Sequence, residues 1–293
     1  MANTISIILD TDIGDDIDDA LALAVALRSP EIRLVGVTTV FRDAPRRALL
    51  AREVLRAFGR EEIPVFAGCS QPILPDWDNF PGGQSLGRQF ERLDAALRWD
   101  ERRHAVDFLI ATGREFAARG ERLTLVPIGA LTNIALALQL APDIVPAVEV
   151  RLMGGLWGRA EKEWNIWCDP VAAAMVLGSG AQLCFVTIDV TEQVILSDAD
   201  NQRFFQSSET EARFLGDLIK LWERKVTLHD PLTVLTLFHD LVSFEPMRLR
   251  VPLCGEGRAW TEKIAGAPNA LVSTGVRAEE AKALFLERIV GAA

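Results

Sequence analysis

The chain has 293 residues and 49% hydrophobic content, enough apolar side chains to bury a full core, which excludes disorder as the default interpretation. Its formal net charge of −10 leaves no basic surface for a phosphate backbone, so we expect no nucleic acid polymer as a partner. Four scattered cysteines without a C-x-x-C pair, an N-terminus without a basic signal region and no apolar run of membrane length predict a cytoplasmic protein with no membrane partner.

Short β-branched runs alternate with longer helical patterns along the first two thirds of the chain. In chain order they are ISIILD then DDALALAVALRS, IRLVGVTT then APRRALLAREVLRAFG, LTLVPIG then LTNIALALQL, VEVRLMGG then DPVAAAMVLGSG, and finally LCFVTIDV. This alternation is typical of βαβ units around a buried, mostly parallel sheet. We therefore predict a single α/β domain over residues 1–293, an open sheet flanked by helices with a Rossmann-like core. VSFEPMRLRVPL and ALVSTGVRA are predicted as strands added before a last helix that ends near Val290.

The carboxyl ends of the predicted strands carry the polar residues of interest. Asp10 and Asp12 end the first strand, Asp43 follows the second, and Ile128 follows LTLVP. The Pro- and Gly-rich stretch 70–87 is predicted as a long loop, and loops of that length in compact domains often bind or cover ligands. Because ligands of open α/β sheets bind at strand carboxyl ends, we predict a ligand site at this edge.

Six aspartates lie between Asp10 and Asp19 in the segment ILDTDIGDDIDDALAL. Helix capping would explain two of them, since Asp accepts hydrogen bonds from first-turn N–H groups. It does not explain Asp10 and Asp12, which precede the turn, or the mutual repulsion of so many carboxylates. A bound divalent cation would neutralise that repulsion, and hard oxygen ligands favour Ca²⁺ or Mg²⁺ over zinc.

The D-x-D pattern of the cluster also occurs in two other classes of site. An EF-hand loop beginning at Asp10 fails, because Asp15 stands where Gly is required and Leu21 where Glu is required. A haloacid dehalogenase-like phosphatase remains an alternative, since an apolar strand ending in D-x-D is typical of that class and would make Asp10 the nucleophile. That class also requires a lysine, and no lysine of this chain stands at an evident strand end with a suitable acidic pair after it.

Three later motifs follow the aspartate cluster in order: VPIGALTN, EWNIWCDPVAA and LHDPLTV. With these four motifs the sequence resembles the nucleoside hydrolase family, of the inosine-uridine preferring type, from about Ile5 to at least Leu235. The resemblance implies an open α/β sheet, a bound Ca²⁺ at the strand carboxyl ends and calcium-dependent hydrolysis of the N-glycosidic bond of ribonucleosides in salvage. It also implies a homodimer or homotetramer.

The resemblance assigns a metal site to four positions. Asp12 matches the metal-binding aspartate that also acts as general base, and Asp19 and Asp230 match further carboxylate ligands. Ile128 occupies the position whose backbone carbonyl binds the metal, so its side chain need not matter. An alternative for Asp230 is that it caps the helix beginning at Pro231.

The resemblance assigns the substrate contacts to a second set of residues. Asp18, Glu163 and Asn165 match residues that bind ribose hydroxyls, and His229 matches the histidine beside the leaving base. Glycosidic cleavage passes through an oxocarbenium-like state, so a site must activate water, hold the sugar and help the base depart. A histidine with its ordinary pKa of about 6.5 could protonate the base near neutrality. Glu163 and Asn165 could instead form an exposed polar turn.

The sequence departs from the family pattern at several points. Ile13 replaces a proline and the loop has two additional residues, so Asp15 and Asp16 become further candidates within it, with Asp16 preferred over Asp15. Arg42 and Asp43 stand where the family has Gly-Asn, and Asp43 can still accept a ribose hydrogen bond. Trp157 occupies the position of an asparagine that contacts the 5′-hydroxyl.

Aromatic residues are the candidates for contact with the base. Trp77 in the long loop and Trp222 upstream of His229 are the predicted stacking partners, with Trp157 as a further candidate. His229 favours a broad or inosine-uridine preference over strict purine specificity. Because of the departures, a nucleoside- or ribose-binding protein without turnover remains a second alternative function.

Overall fold

A computed structural model describes residues 4–75, 87–94 and 96–291 of the chain. Their central feature is an eight-stranded sheet, and two short strands pair in a separate ribbon. The strands are β1 Ile5–Thr11, β2 Ile32–Thr39, β3 Val65–Ala67, β4 Leu123–Pro127, β5 Val148–Met153, β6 Gln182–Val186, β7 Val242–Met247 and β10 Ala270–Val276, and the ribbon consists of β8 Leu249–Arg250 and β9 Glu262–Lys263.

Helices connect these strands and cover the sheet. They are α1 Asp18–Arg28, α2 Ala44–Ala57, α3 Ala105–Arg119, α4 Thr132–Leu140, α5 Trp164–Cys168, α6 Pro170–Leu177, α7 Ile188–Thr191, α8 Asp198–Gln206, α9 Thr210–Lys220, α10 His229–Leu235 and α11 Ala278–Val290, with 3-10 turns at Arg88–Arg92 and Pro142–Ala147. None of the helices in the described part of the chain is long and apolar enough to cross a membrane.

The sheet order is β3-β2-β1-β4-β5-β6-β10-β7, and every neighbouring pair is parallel except β10 with β7. The predicted α/β fold with a mostly parallel sheet is therefore confirmed. The chain builds β1 to β3 toward one edge and then returns to add β4 beside β1. Ligand crevices of open sheets lie at such a reversal, outside the carboxyl ends of the two strands.

Two apolar layers hold the sheet, one on each face. Along β1, Ile7 and Leu9 pack with α1 in one layer, whereas Ile8 packs with α3 and α4 in the other. This alternation is the period of two that a strand imposes, and burial on both faces is typical of parallel sheets. Every residue of α1 from Asp18 to Ala26 is buried. The fold therefore carries the first two acidic residues of α1 into the protein interior.

The structure differs from the predicted elements in one place near the site. LCFVTIDV was predicted as a strand, but β6 ends at Val186 and Ile188–Thr191 form the short helix α7. The carboxylate of Asp189 accepts hydrogen bonds from the backbone N–H groups of Trp157 (3.1 Å) and Gly158 (2.9 Å). These bonds join α7 to the segment that follows β5. Residues 76–86 of the predicted long loop lie outside the described residues.

Candidate active site

A cavity of about 640 Å³ lies outside the carboxyl ends of β1, β4 and β5. The pairing of β1 with β4 sets its location. Asp10 of β1 is paired with Pro127 of β4, so the residues that follow these two lie side by side. Most of the residues predicted from the sequence line this cavity, namely Asp12, Asp16, Asp18, Asp19, Ile128, Glu163, Asn165, Trp222, His229 and Asp230.

Three carboxylates form the closest group in this lining. Asp18 and Asp19 lie in the first turn of α1 and Asp230 in the first turn of α10, and one oxygen from each lies within 4.8 Å of the others. All three are buried, and the backbone N–H of Asp230 donates to Oδ2 of Asp18 (3.3 Å). Burial first, and then the repulsion of neighbouring carboxylates, raises the pKa of each well above its ordinary value.

Helix capping does not account for this acidic group. The residue at the N-cap of α1 is Ile17, whose side chain makes no capping hydrogen bond, and it is Asp16 Oδ1 that accepts the N–H of Ile17 (2.5 Å). α10 likewise has Leu228 at its N-cap without a side-chain bond, so Asp230 does not cap the helix as the alternative interpretation required. The carboxylates instead face one another in the cavity, where hard oxygen donors meet the requirements of a divalent cation.

Asp12 stands beside the group at the end of β1. Its negative charge contributes to the raised pKa values of Asp18, Asp19 and Asp230. Burial raises the pKa of Asp12 itself to about 7, with Arg47 opposing the rise. A Cβ atom on Gly129 would lie 2.7 Å from Oδ1 of Asp12, so only glycine allows this carboxylate to occupy its place.

Asp10 lies on the sheet side of the same strand and does not line the cavity. It is fully buried, and its Oδ1 accepts hydrogen bonds from Thr38 Oγ1 (2.6 Å) and Asn133 Nδ2 (2.8 Å). A nucleophile must reach its substrate. The phosphatase alternative, which needs Asp10 as nucleophile, is therefore incompatible with this arrangement.

Arg47 of α2 is fully buried beneath the aspartate loop and was missed in the sequence analysis. Its Nε donates to the carbonyl of Phe41 (2.8 Å), and its Nη1 donates to the carbonyls of Asp12 and Ile13. Its Nη2 pairs with Oδ2 of Asp15 at 2.9 Å. The helical period of α2 places position 47 on the buried face, so an arginine there was the clue.

Glu163 and Asn165 are built into the cavity wall by α5. Glu163 is the N-cap of that helix, and its carboxylate accepts hydrogen bonds from the N–H groups of Gly155 (2.9 Å), Asn165 (2.9 Å) and Ile166 (3.0 Å). The amide Nδ2 of Asn165 donates to the carbonyls of Ile128 (3.0 Å) and Met153 (3.3 Å). Both side chains are buried, so the exposed polar turn is ruled out.

His229 begins α10 and lines the cavity next to Asp230. Its Nδ1 lies 2.7 Å from the hydroxyl oxygen of Thr191. Burial lowers the pKa of His229 to about 4, and the charge of Glu192 opposes this only in part. This environment therefore disfavours the imidazolium form, whereas the sequence predicted an ordinary pKa near neutrality.

Among the described residues, two of the predicted ones, Asp43 and Trp157, do not line the cavity. The carboxylate of Asp43 caps α2 by accepting from the N–H of Arg46 (3.1 Å), and Arg42, with a left-handed φ of 55°, lines the cavity instead. Trp157 turns away because its indole N–H donates to the carbonyl of Ser273 (3.2 Å). Trp77 lies outside the described residues.

Trp164 supplies an aromatic wall of the cavity, although Trp77 and Trp222 were the favoured stacking candidates among the aromatic residues of the sequence. It lines the cavity, its ring meets the ring of Phe41 edge-on at 6.5 Å, and the Arg42 guanidinium lies 5.7 Å from its centroid. Trp222 lines the same cavity, with its indole N–H donating to the carbonyl of Lys225 (3.1 Å). The position of Trp164 between two predicted ribose-binding residues was the available clue.

Comparison with known proteins agrees with the resemblance seen in the sequence. A model of the family described as inosine-uridine preferring nucleoside hydrolase matches residues 7–283. The probable uridine nucleosidase 2 of Arabidopsis thaliana is 31% identical over 97% of both chains. The pyrimidine-specific ribonucleoside hydrolase RihB of Escherichia coli is 38% identical over 64% of this chain and 61% of that one.

A solved structure supports the same assignment. The purine-preferring ribonucleoside hydrolase from Gardnerella vaginalis superposes with a TM-score of 0.81 at 28% identity, covering 98% of each chain. The superposition covers nearly the whole of both chains, so the likeness extends over the complete fold. The chain therefore belongs to the inosine-uridine preferring nucleoside hydrolase family and is an N-glycosidase.

Proposed function

We propose that the protein is a Ca²⁺-dependent ribonucleoside hydrolase that releases ribose and free base in nucleoside salvage. The observation that carries the proposal is one cavity in which an acidic cation site, two buried sugar-binding candidates and a histidine converge. The chemistry of N-glycoside hydrolysis needs these three functions side by side.

The donor set fits a hard divalent cation. We propose Asp12, Asp19, Asp230 and the carbonyl of Ile128 as its ligands, with Asp18 in the same group of buried oxygens. Carboxylates this close and this buried can all be ionised only beside a positive charge. When bound, the cation would supply that charge and polarise the ribose hydroxyls and an incoming water molecule.

Asp12 is proposed as the general base. Its carboxylate faces the cavity beside Asp18, Asp19 and Asp230, so it can reach a water molecule next to the cation that these residues would bind. It would take a proton from the attacking water. Together with its acidic neighbours it would also stabilise the positive charge that develops on the ribose ring.

The sugar is proposed to bind between the acidic group and α5. Because the amide nitrogen of Asn165 already donates to two backbone carbonyls, its Oδ1 is the atom left to accept a ribose hydroxyl. Glu163 presents a buried carboxylate held by three backbone donors, which fixes its orientation toward the sugar. Asp18 would accept a further hydroxyl hydrogen bond.

The base is proposed to lie between His229 and the aromatic walls Trp164 and Trp222. His229 lines the cavity with its Nδ1 beside Thr191, so its other ring nitrogen would donate a hydrogen bond to the departing base. The named preferences of the relatives include uridine, pyrimidines and purines. We therefore propose a broad base preference that includes uridine and inosine. Asp43 and Trp157 are not proposed as substrate contacts.

The test is release of free base from inosine, adenosine, guanosine, uridine and cytidine by the purified chain. We expect release from uridine and inosine, its loss after chelation, and recovery with Ca²⁺ but not with Zn²⁺. Saturable binding of these nucleosides without any base release would contradict the proposal and support the binding protein. Unchanged release after thorough chelation would contradict the cation requirement.

We also propose that the protein is a cytoplasmic homodimer or homotetramer, as the family resemblance implies. The assembly is measured directly by light scattering on the full chain. A mass equal to one 32.2 kDa chain at micromolar concentration would contradict it.

A further inference from the structure

Thr191 lies behind the histidine of the cavity. It is the last residue of α7, its side chain is fully buried, and its Oγ1 lies 2.7 Å from Nδ1 of His229. The helix that carries it is held independently, because Asp189 accepts from the backbone N–H groups of Trp157 and Gly158. The hydroxyl of Thr191 is therefore fixed in space by contacts other than the histidine.

The hydrogen-bonding possibilities decide the direction of this bond. Within the described residues, Nδ1 of His229 is the only hydrogen-bond partner of Oγ1. If the hydroxyl accepted a hydrogen bond from Nδ1–H, its own proton would be a buried donor without a partner, which is unfavourable. If the hydroxyl donates to Nδ1, every buried proton of the pair has an acceptor. The second arrangement is therefore favoured.

A neutral imidazole that accepts at Nδ1 carries its proton at Nε2. The ring of His229 lines the cavity, and in the described part of the chain Nε2 makes no hydrogen bond to another residue. The Nε2–H group is thus the part of the ring that remains for a ligand.

We propose that Thr191 is a positioning residue that holds His229 in the Nε2–H tautomer, so that this N–H donates a hydrogen bond to the leaving base. The inference rests on the proposed function of His229. As the bond from C1′ to the base nitrogen breaks, its electron pair stays on the base, and the N–H stabilises the developing negative charge. Water adds its hydroxyl to C1′, and its proton passes through Asp12 and solvent to the released base.

The decisive variants are Thr191→Val, which keeps the shape and removes the hydroxyl, and Thr191→Ser, which keeps the hydroxyl. Two substrates separate the roles: uridine, whose base is a poor leaving group, and 4-nitrophenyl riboside, whose phenolate leaves without help. Thr191→Val should lower kcat/KM for uridine by about 30-fold, in the range found when groups that orient a functional histidine are removed. It should change the rate with 4-nitrophenyl riboside by less than about twofold, and Thr191→Ser should stay near the original rate with both.

Two controls complete the experiment. Thr112→Val removes a buried hydroxyl in α3 away from the cavity, and both substrates should be hydrolysed at the original rate. In the double variant with His229→Ala, Thr191→Val should add no further loss for uridine, because the two residues act as one unit.

Other outcomes identify which idea fails. Equal slowing of both substrates by Thr191→Val would mean a purely structural threonine and overturn the inference. If Thr191→Val hydrolysed uridine at the original rate while His229→Ala hydrolysed it slowly, the inference would be overturned and the proposed function would stand. Full uridine activity in His229→Ala would overturn the role of His229 and the inference with it. No base release by the unmodified chain would overturn the proposed function itself.

Discussion

Two sets of buried carboxylates lie on opposite sides of the end of β1 and are stabilised in different ways. Burial raises the pKa of both Asp10 and Asp12 to about 7. Asp10 receives neutral donors, from a hydroxyl and an amide, whereas Asp12 is surrounded by further carboxylates. The shared pKa shift therefore does not identify the functional group. The difference in partners does, because only the second set needs a positive charge from a ligand.

The Asp10 side connects elements of the fold. Asn133 of α4 donates to Asp10 and to the carbonyl of Thr39 (3.0 Å), and it accepts from the backbone N–H of Cys69 (2.9 Å). These bonds link β1, β2 and the segment after β3 to one helix. The cavity side, which we define as Asp12, Asp18, Asp19 and Asp230, links β1 to the first turns of α1 and α10 instead.

The largest expected effect is that of Asp12→Asn. Removing the proposed base should lower kcat/KM for uridine by about 10³-fold, within the range for general acid-base groups. The amide keeps the volume of the carboxylate, so circular dichroism and the unfolding midpoint should show a folded chain. Steady-state base release measures the loss. Activity within tenfold of the original would contradict the assignment and weaken the contrast with Asp10.

Arg47 provides the second test, because it is the only fully buried arginine or lysine in the described part of the chain. Arg47→Met should destabilise the fold by about 3–5 kcal/mol, the cost of breaking a buried ion pair and leaving its partner uncompensated. Urea unfolding of the chelated chain measures this. The neighbouring Arg46→Met is the matched control, since Arg46 is exposed and should change stability by less than about 1 kcal/mol. Equal effects of the two variants would contradict a specific role for Arg47.

The fold was predictable because local patterns of apolar residues in the sequence indicate its strands and helices. β1 and β2 are buried apolar runs, and α1 and α2 follow with helical periodicity. α7 was not predictable in this way. Its turn depends on Asp189 meeting the backbone of residues 157 and 158, about thirty positions earlier in the chain, and a local pattern does not contain that contact.

The residues of the site also differ in whether the sequence predicts them. Asp12 was placed at the site because carboxyl ends of parallel strands meet at one edge of the sheet, whereas Asp18, Asp19 and Asp230 were assigned by the resemblance to the family. Arg47 and Thr191 were missed because their importance depends on which partner the fold sets beside them. Arg42 lines the cavity where Asp43 was predicted. This depends on a left-handed backbone conformation at residues 41 and 42, which the residue types at these two positions do not predict.

The third prediction concerns pH and chelation. A carboxyl whose pKa is higher in the folded than in the unfolded chain stabilises the fold below its ordinary pKa and loses that stabilisation as the pH rises through the folded value. For Asp12 this window runs from 3.8 to about 7. The chelated chain should therefore melt at a temperature higher by at least about 5 °C at pH 5.5 than at pH 8.

Calcium should restore much of the melting temperature at pH 8 and change it little at pH 5.5, because protonated carboxylates bind the cation poorly. Differential scanning calorimetry with chelator or calcium measures all four values. A calcium-induced shift of equal size at both pH values would show that the cavity carboxylates are ionised regardless of the cation. The difference between the two carboxylate sets would then lose its physical basis.

The smallest expected effect is that of Asp10→Asn, the counterpart of Asp12→Asn on the other side of the strand. An amide oxygen can still accept from Thr38 and Asn133, while its NH₂ group replaces an Oδ2 that has no partner within the described residues. Burying that unpaired donor should cost about 1–2 kcal/mol in the free energy of unfolding. Activity should stay within about tenfold of the original, since Asp10 does not line the cavity. A folded Asp10→Asn variant that lost as much activity as Asp12→Asn would contradict this prediction. The two sides of β1 would then form one functional unit. Burial with neutral hydrogen-bond donors would no longer distinguish a structural carboxylate from a catalytic one.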